Sequence, residues 1–206
     1  DDVLSPSYRD PGALFTKGLT TLDLVGMLFA KECGKTKGRT RVLHVGDLSK
    51  GIYPPNPILG ASSVIANGAA LAFKMNGSDR IVLNIMGDGA SNEGAVHEAM
   101  NFAAVKGLPI IFAIENNSYA WSTPFKENFK IHSFLERAVG YGMLGLIADG
   151  YDVLDVLNVM DEAITHVRSG KGPVLVECRT YRWSGHSGND KNVYRTQEEI
   201  IRWKQN

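Results

Sequence analysis

The chain has 206 residues, and its 22 lysines and arginines are matched by 22 aspartates and glutamates, so the formal net charge is zero. With 44% hydrophobic and 21% charged residues it has the composition of a chain that buries a core, not of a disordered one. The even charge balance gives no global electrostatic footprint for nucleic acid, and the longest apolar run, Leu108–Ile114, falls far short of the ~18 residues that a membrane-spanning helix needs.

No repeat, low-complexity run or Pro/Ser-rich linker divides the sequence, so one domain over residues 1–206 is expected. In chain order, an Ala-rich helix is predicted over Ser62–Met75. The overlapping helical stretch Ala61–Ala72 carries small residues at Gly68, Ala69 and Ala72 that suit close packing, in a core or at a subunit seam. A buried strand follows at Arg80–Met86, then a helix at Asn92–Lys106 and a second strand at Leu108–Ile114. Beyond these come a helix at Ile131–Val139, a strand at Leu144–Ala148, a helix at Asp152–Ser169 and a strand at Pro173–Cys178. Nearly continuous apolar strands alternating with helices imply an α/β fold, a doubly wound, mostly parallel sheet with helices on both faces. In such sheets ligands sit beyond the carboxyl ends of the strands, so the strand-to-helix loops are where chemistry belongs.

The first strand runs into Gly87-Asp88-Gly89-Ala90-Ser91-Asn92-Glu93-Gly94. Glycines let backbone N–H groups approach an anion, and a helix starting at Ser91 or Asn92 adds its dipole. Asp88, at the strand's carboxyl end, offers a hard oxygen for Mg²⁺ or Ca²⁺. The spacing G-x-G-x-x-x-x-G is not the dinucleotide fingerprint G-x-G-x-x-G, which counts against a nicotinamide cofactor. An ordinary glycine-rich turn with Asp88 capping a helix remains the alternative for this turn by itself. The next strand delivers Glu115-Asn116-Asn117-Ser118-Tyr119-Ala120 to the same edge, and Asn117 follows Asp88 by one strand–helix–strand unit. Taken singly, Asn116-Asn117 is a turn that tolerates left-handed backbone angles. Taken with Asp88, it supplies an amide oxygen beside a carboxylate, a sparse set that Mg²⁺ completes with phosphate oxygens and water. The two turns together point to a diphosphate and a metal.

These residues resemble the thiamine diphosphate motif, G-D-G through N-N. The wider text, including His97-Glu98-Ala99, Asn101-Phe102-Ala103-Ala104 and Leu108-Pro109, resembles the alpha subunit of the 2-oxo acid dehydrogenase first component, a group that includes pyruvate, branched-chain 2-oxo acid and acetoin dehydrogenases. The likeness runs from Tyr8-Arg9 to Trp203. It implies a metal held by Asp88, Asn117 and the backbone carbonyl of Tyr119, with the diphosphate met by the backbone of Gly89 and Ala90 and by Tyr8 and Arg9. Leu59, in Asn56-Pro57-Ile58-Leu59-Gly60-Ala61, would offer its carbonyl to the aminopyrimidine. Thr180-Tyr181-Arg182-Trp183-Ser184-Gly185-His186-Ser187, followed by Asp190 and Tyr194-Arg195, resembles the family's late loop. Arg182 would approach the phosphates, and His186 would be the catalytic side chain, at the mouth of the site, assisting proton traffic. Ser187 falls where mitochondrial relatives carry a regulatory phosphoserine; a plain loop serine is the alternative.

The sequence departs from the family pattern at Pro57, where glycine is frequent, and at Pro11, where histidine often follows the Tyr-Arg pair. The segments that flank this region in the family are nearly absent, which suggests truncation at both ends. No leader is expected from the opening Asp1-Asp2, and the two lone cysteines, Cys33 and Cys178, suit a reducing cytosol better than a disulfide scaffold; a bacterial-type cytoplasmic location is the expectation, with the mitochondrial matrix as the alternative. The resemblance implies thiamine diphosphate and Mg²⁺, a beta subunit in an α₂β₂ heterotetramer, a lipoyl-bearing acyltransferase as partner, and cleavage of a 2-oxo acid or acetoin with transfer of the acyl unit to a lipoyl group. A transketolase-like enzyme and a non-catalytic assembly subunit of the same fold remain as alternatives. The eight positions from His186 to Tyr194 make a short loop, more like acetoin-type and some pyruvate-type relatives than branched-chain ones.

Overall fold

The computed structural model describes residues 2–40 and 44–204. Five strands form one sheet: β1 (Val3–Ser5), β2 (Val82–Gly87), β3 (Ile110–Asn116), β6 (Leu144–Asp149) and β7 (Val174–Arg179), in the order β1-β2-β3-β7-β6. Every neighbouring pair in it is parallel. Two short strands, β4 (Tyr119–Ala120) and β5 (Thr123–Pro124), make a separate antiparallel hairpin just after β3. The remaining elements are α1 (Pro11–Thr16), α2 (Thr21–Leu28), α3 (Ala61–Met75), α4 (Gly94–Lys106), α5 (Phe125–Asn128), α6 (Leu135–Tyr141), α7 (Val153–Arg168) and α8 (Gln197–Lys204). None of the described helices is long and apolar enough to cross a membrane.

Parallel strands are hydrophobic on both sides because helices cover both faces, and the cores follow that rule. On one face Val82, Met86, Ile110, Phe112, Ile114 and Leu175 pack with Ala66, Ala70 and Phe73 of α3 and Val96, Met100 and Ala103 of α4. On the other, Ile111, Val174 and Val176 meet Ala163 and Val167 of α7, while Leu4 meets Leu14 of α1 and Leu24 and Met27 of α2. The doubly wound α/β reading is therefore met, with all five strands parallel.

The boundaries differ from expectation for local reasons. The helix predicted from Asn92 starts at Gly94, because Ala90–Asn92 close a 3₁₀ turn first. The helix predicted over Ile131–Val139 is shifted to Leu135–Tyr141, where Gly142 ends it in the left-handed conformation. Asp152 and Ser169 flank α7 as its caps, the Asp152 carboxylate accepting from the N–H groups of Leu154 and Asp155. Of the small residues on α3, Ala69 enters the core, whereas Gly68 and Ala72 face outward and a side chain at Gly68 would meet nothing within 4 Å. Cys33 is exposed and Cys178 half-buried, both as free thiols. Pro11 opens α1, where its missing N–H costs nothing.

Candidate functional site

Because the sheet is parallel, every strand points its carboxyl end at the same edge, and four loops leave there side by side. Tyr8 and Arg9 follow β1, Asp88, Gly89 and Ala90 follow β2, Asn117 and Tyr119 follow β3, and Arg182 and His186 follow β7. Leu59 arrives from the turn into α3. All of these residues line one cavity of about 450 Å³.

Asp88 is buried, at 2% exposure, and its two oxygens are treated unequally. Oδ1 accepts from the N–H of Gly89 at 2.9 Å, while Oδ2 is buried with no partner among the described residues. Burial pushes its carboxyl up to about 6, against the lowering effects of the Gly89 N–H and the Arg182 charge. A buried carboxylate oxygen with no partner is costly unless a cation meets it. The Asp88 side chain caps no helix, since neither the 3₁₀ turn nor α4 receives a side-chain cap, so the plain capping reading of this turn fails. The dipole also enters differently from expectation: a 3₁₀ turn, not an α-helix, meets the site, and the Ala90 N–H heads it without a partner inside the turn.

The two asparagines divide their labour. Asn116 is buried and donates to Glu177 Oε1 at 2.8 Å while accepting from the Ser118 N–H. Asn117 lines the cavity and accepts from the Tyr119 N–H at 3.2 Å, which holds its amide oxygen and the Tyr119 carbonyl in one tight turn. Asp88, Asn117 and Tyr119 line the same cavity, and the carboxylate, amide and carbonyl oxygens they can offer are a sparse all-oxygen donor set. No cluster of three or more His, Cys, Asp or Glu groups is found among the described residues. That donor chemistry fits Mg²⁺, which is content with one carboxylate when phosphates and water fill its shell.

Gly89 is required by space, not by backbone angle: a Cβ there would sit 2.6 Å from the Cβ of Ala120. Gly60, by contrast, has φ +84° as it turns the Leu59 segment into α3. On the far wall His186 Nε2 lies 2.9 Å from Arg9 Nη2, and its ring stacks on Trp121 at 4.5 Å between centroids. Its backbone N–H donates to Asp190 Oδ2 at 2.6 Å. Arg182 is more tied down than a free phosphate-binding cation: it donates to the carbonyls of Ser184, Tyr119 and Trp121 and to the Tyr194 hydroxyl. Of its five N–H groups, four are engaged and one on Nη1 is left. Ser187 is exposed.

Several cavity residues carried no sequence signal. Trp121 has φ +54°, unusual for a bulky residue, and Arg182 grips its carbonyl. Asn84 is wholly buried in mid-strand, accepting from Ser63 Oγ at 2.8 Å and donating to Ser5. Asp10, just outside the cavity, accepts from the Ser7 N–H at 2.6 Å and so ties back the loop that carries Tyr8 and Arg9. Glu115 lines the cavity; burial, reinforced by Asp10, pushes its carboxyl up to about 7.

The family model for the dehydrogenase E1 component matches residues 1–206. The chain belongs to that family. It is 38% identical over 200 residues to the alpha subunit of acetoin:2,6-dichlorophenolindophenol oxidoreductase of Bacillus subtilis, covering 97% of this chain and 60% of the relative. It is 40% identical over 200 residues to the somatic, mitochondrial pyruvate dehydrogenase E1 alpha subunit of Homo sapiens, covering 97% of this chain and 50% of the relative. The Rhizobium meliloti pyruvate dehydrogenase E1 alpha subunit is 36% identical over 199 residues, 97% of this chain and 57% of that one. The chain thus spans between half and three-fifths of the length of the curated relatives it matches. Among solved structures, transketolase from Campylobacter jejuni superposes with a TM-score of 0.67 at 22% identity, over 87% of this chain and 29% of that one, a likeness of fold.

Proposed function

We propose that this dehydrogenase E1 chain is the cofactor-binding core of an alpha subunit that holds thiamine diphosphate and Mg²⁺, in an enzyme that cleaves a 2-oxo acid such as pyruvate, or acetoin, and passes the acyl unit to a lipoyl group. The observation that carries the reading is Asp88 Oδ2, a buried carboxylate oxygen with no partner among the described residues, in the wall of a cavity that Asn117 and Tyr119 also line. Family membership favours the acyl-transferring reading over a transketolase-like one.

When bound, the cofactor supplies the electron sink for breaking the carbon–carbon bond beside a carbonyl. This chain's residues do the rest by position and charge. Asp88 and Asn117 would hold the metal with the Tyr119 carbonyl. Tyr8, Arg9 and the Ala90 N–H would face the diphosphate, with Arg182 adding positive field and at most one free N–H. Leu59 would present its carbonyl to the aminopyrimidine, a contact that Pro57 does not remove, because proline loses only a donor. His186 accepts from Arg9 at Nε2, so its proton sits on Nδ1, the atom from which it would donate during acyl transfer. The glutamate that activates the aminopyrimidine would come from a beta subunit in an α₂β₂ assembly, and a lipoyl-bearing acyltransferase would take the product.

Calorimetry on the chain assembled with its beta subunit tests this. Thiamine diphosphate should bind with Mg²⁺ and not with a chelator, and Asp88→Asn should weaken binding about a hundredfold or more, the scale of losing a charged ligand. Equal affinity in both proteins would sink the metal assignment. Turnover of pyruvate, 2-oxoisovalerate and acetoin with a dye acceptor sorts the substrates, and absence of turnover would favour an assembly role.

A further inference from the structure

Helix α8 takes no part in the sheet, yet it packs against two of the cofactor-facing loops. Thr196-Gln197-Glu198-Glu199 has the form of a capping box, in which the Glu199 carboxylate would turn back to the Thr196 N–H. Half of that box is present, the Glu199 N–H donating to Thr196 Oγ1 at 3.1 Å. The carboxylate points elsewhere. Tyr119 Oη donates to both of its oxygens at 2.9 Å, and Tyr181 Oη donates to Oε1 at 2.8 Å. Tyr119 lies on the loop after β3, and Tyr181 on the loop after β7, one residue before Arg182. One carboxylate therefore staples two loops that are separate in sequence, through charge-assisted bonds.

The surroundings reinforce the staple. Arg195 is buried, lies 5.2 Å from the ring centroids of both Tyr119 and Tyr181, and donates to the carbonyls of Arg182 and Ser184. Trp203, from the end of α8, stacks on Tyr181 at 5.0 Å with an interplanar angle of 8°. Glu199 itself does not line the cavity. Its reach into the site runs through Tyr119, whose carbonyl belongs to the metal set, and through the segment that carries Arg182 and His186.

We propose that Glu199 is a positioning residue of the cofactor site, holding the Tyr119 turn and the Arg182–His186 loop in mutual register from outside the cavity. Its consequence for cofactor binding rests on the function proposed above; the coupling of the two loops does not.

The test uses the chain assembled with its beta subunit, in the variants Glu199→Ala, Glu199→Gln and Ile200→Ala. The last removes the buried side chain beside Glu199 on α8 and leaves the carboxylate in place. Hydrogen exchange without cofactor reads the loops directly. In Glu199→Ala, amides 118–121 and 181–186 should exchange about tenfold faster together, as expected for losing hydrogen bonds to a charged group. Glu199→Gln, whose amide oxygen still accepts, should restore most of the protection. Ile200→Ala should lower the melting temperature while leaving both loops and the cofactor affinity within about twofold of wild type. With Mg²⁺ present, thiamine diphosphate affinity should fall about tenfold in Glu199→Ala and recover in Glu199→Gln. Unchanged exchange in either loop, an unchanged cofactor affinity in Glu199→Ala, or an equal affinity loss in Ile200→Ala would overturn the proposal. If the wild-type assembly fails to bind thiamine diphosphate, the functional reading falls, and the exchange data still judge Glu199.

Discussion

Arg9 Nη2 and His186 Nε2 lie 2.9 Å apart although their residues are 177 positions apart in the chain. Arginine has no lone pair to offer and does not lose its proton, so His186 must accept at Nε2 and stay neutral while this contact holds. Burial lowers the His186 pKa below its usual 6.5, and the charges of Arg9 and Arg182 lower it further, with Asp190 opposing them. The ring is therefore a donor through Nδ1 at neutral pH. Nitrogen-15 and carbon-13 spectra should show that tautomer and a midpoint below 6.5. Arg9→Gln removes one lowering charge, so the midpoint should rise, and the acidic limb of the activity profile should move to higher pH with it. A midpoint that stays put or falls would remove Arg9 as a cause.

Asp88 sets function against stability. Its carboxyl titrates near 6 when folded and near 3.8 in the ordinary case, with burial the main cause. A folded pKa above the unfolded one means the stability contribution is complete below about pH 4 and lost as pH rises through about 6. The loss amounts to about 3 kcal/mol at neutral pH. Without metal, Asp88→Asn should therefore be the more stable protein at pH 7 and no better at pH 4, by urea unfolding at the two values. Adding Mg²⁺ and thiamine diphosphate should stabilise the wild type far more than Asp88→Asn at the same ligand concentration. A variant less stable than wild type at pH 7 without ligand would show that Asp88 is satisfied by something other than a cation.

A Cβ added at Gly89 would stand 2.6 Å from the Cβ of Ala120 in the hairpin, closer than real Cβ atoms come, while the φ of Gly89 is an ordinary −60°. Gly89→Ala should thus cost about 1–3 kcal/mol by overpacking and displace the turn that holds Asn117 and Tyr119. Adding Ala120→Gly should return much of the lost stability and cofactor affinity. If the double variant is as impaired as the sum of its parts, the contact is not the reason for the glycine.

The strands and crossover helices were legible because burial on both faces leaves long apolar runs between amphipathic ones, and the loops of the site followed, since parallel strands deliver their ends to one edge. What could not be read was whatever depends on a distant partner. Val3–Ser5 is too short to show a period, and it is a strand because β2 pairs with it. Asn84 in the middle of an apolar strand reads as an error until Ser5 and Ser63 are beside it. That Asn117 is the cavity-facing residue of Asn116-Asn117 agrees with the family pattern, whereas the structural role of Asn116 required knowing where Glu177 lies. Nothing in the sequence around Glu199 pointed to Tyr119 or Tyr181, the partners its carboxylate takes. Trp121 offered no pattern at all, because its place is set by the grip of Arg182 on its carbonyl.

Glu177 gives the strictest test of how the site is supported from below. It is completely buried in β7, and its carboxylate accepts from Asn116 Nδ2 at 2.8 Å, Ser133 Oγ at 2.6 Å, the Phe134 N–H at 3.0 Å and Arg179 Nε at 3.1 Å. These donors come from the end of β3, the segment entering α6, and β7 itself, so one buried carboxylate joins three pieces of chain, one of them the turn that carries Asn117 into the cavity. Removing it leaves buried donors without an acceptor, and Glu177→Ala should cost about 3–5 kcal/mol, as for breaking a buried charged network. Glu177→Gln keeps an acceptor of the same shape but turns two former lone-pair positions into N–H groups facing other donors, so it should lose nearly as much. Glu177→Met, apolar and similar in length, would show whether charge or volume matters. Chemical denaturation gives the stabilities. The spectral signature of the support role is a shift in the Asn116 side-chain amide resonances in Glu177→Gln, and an unmoved Asn116 in a stable variant would show that the turn carries itself.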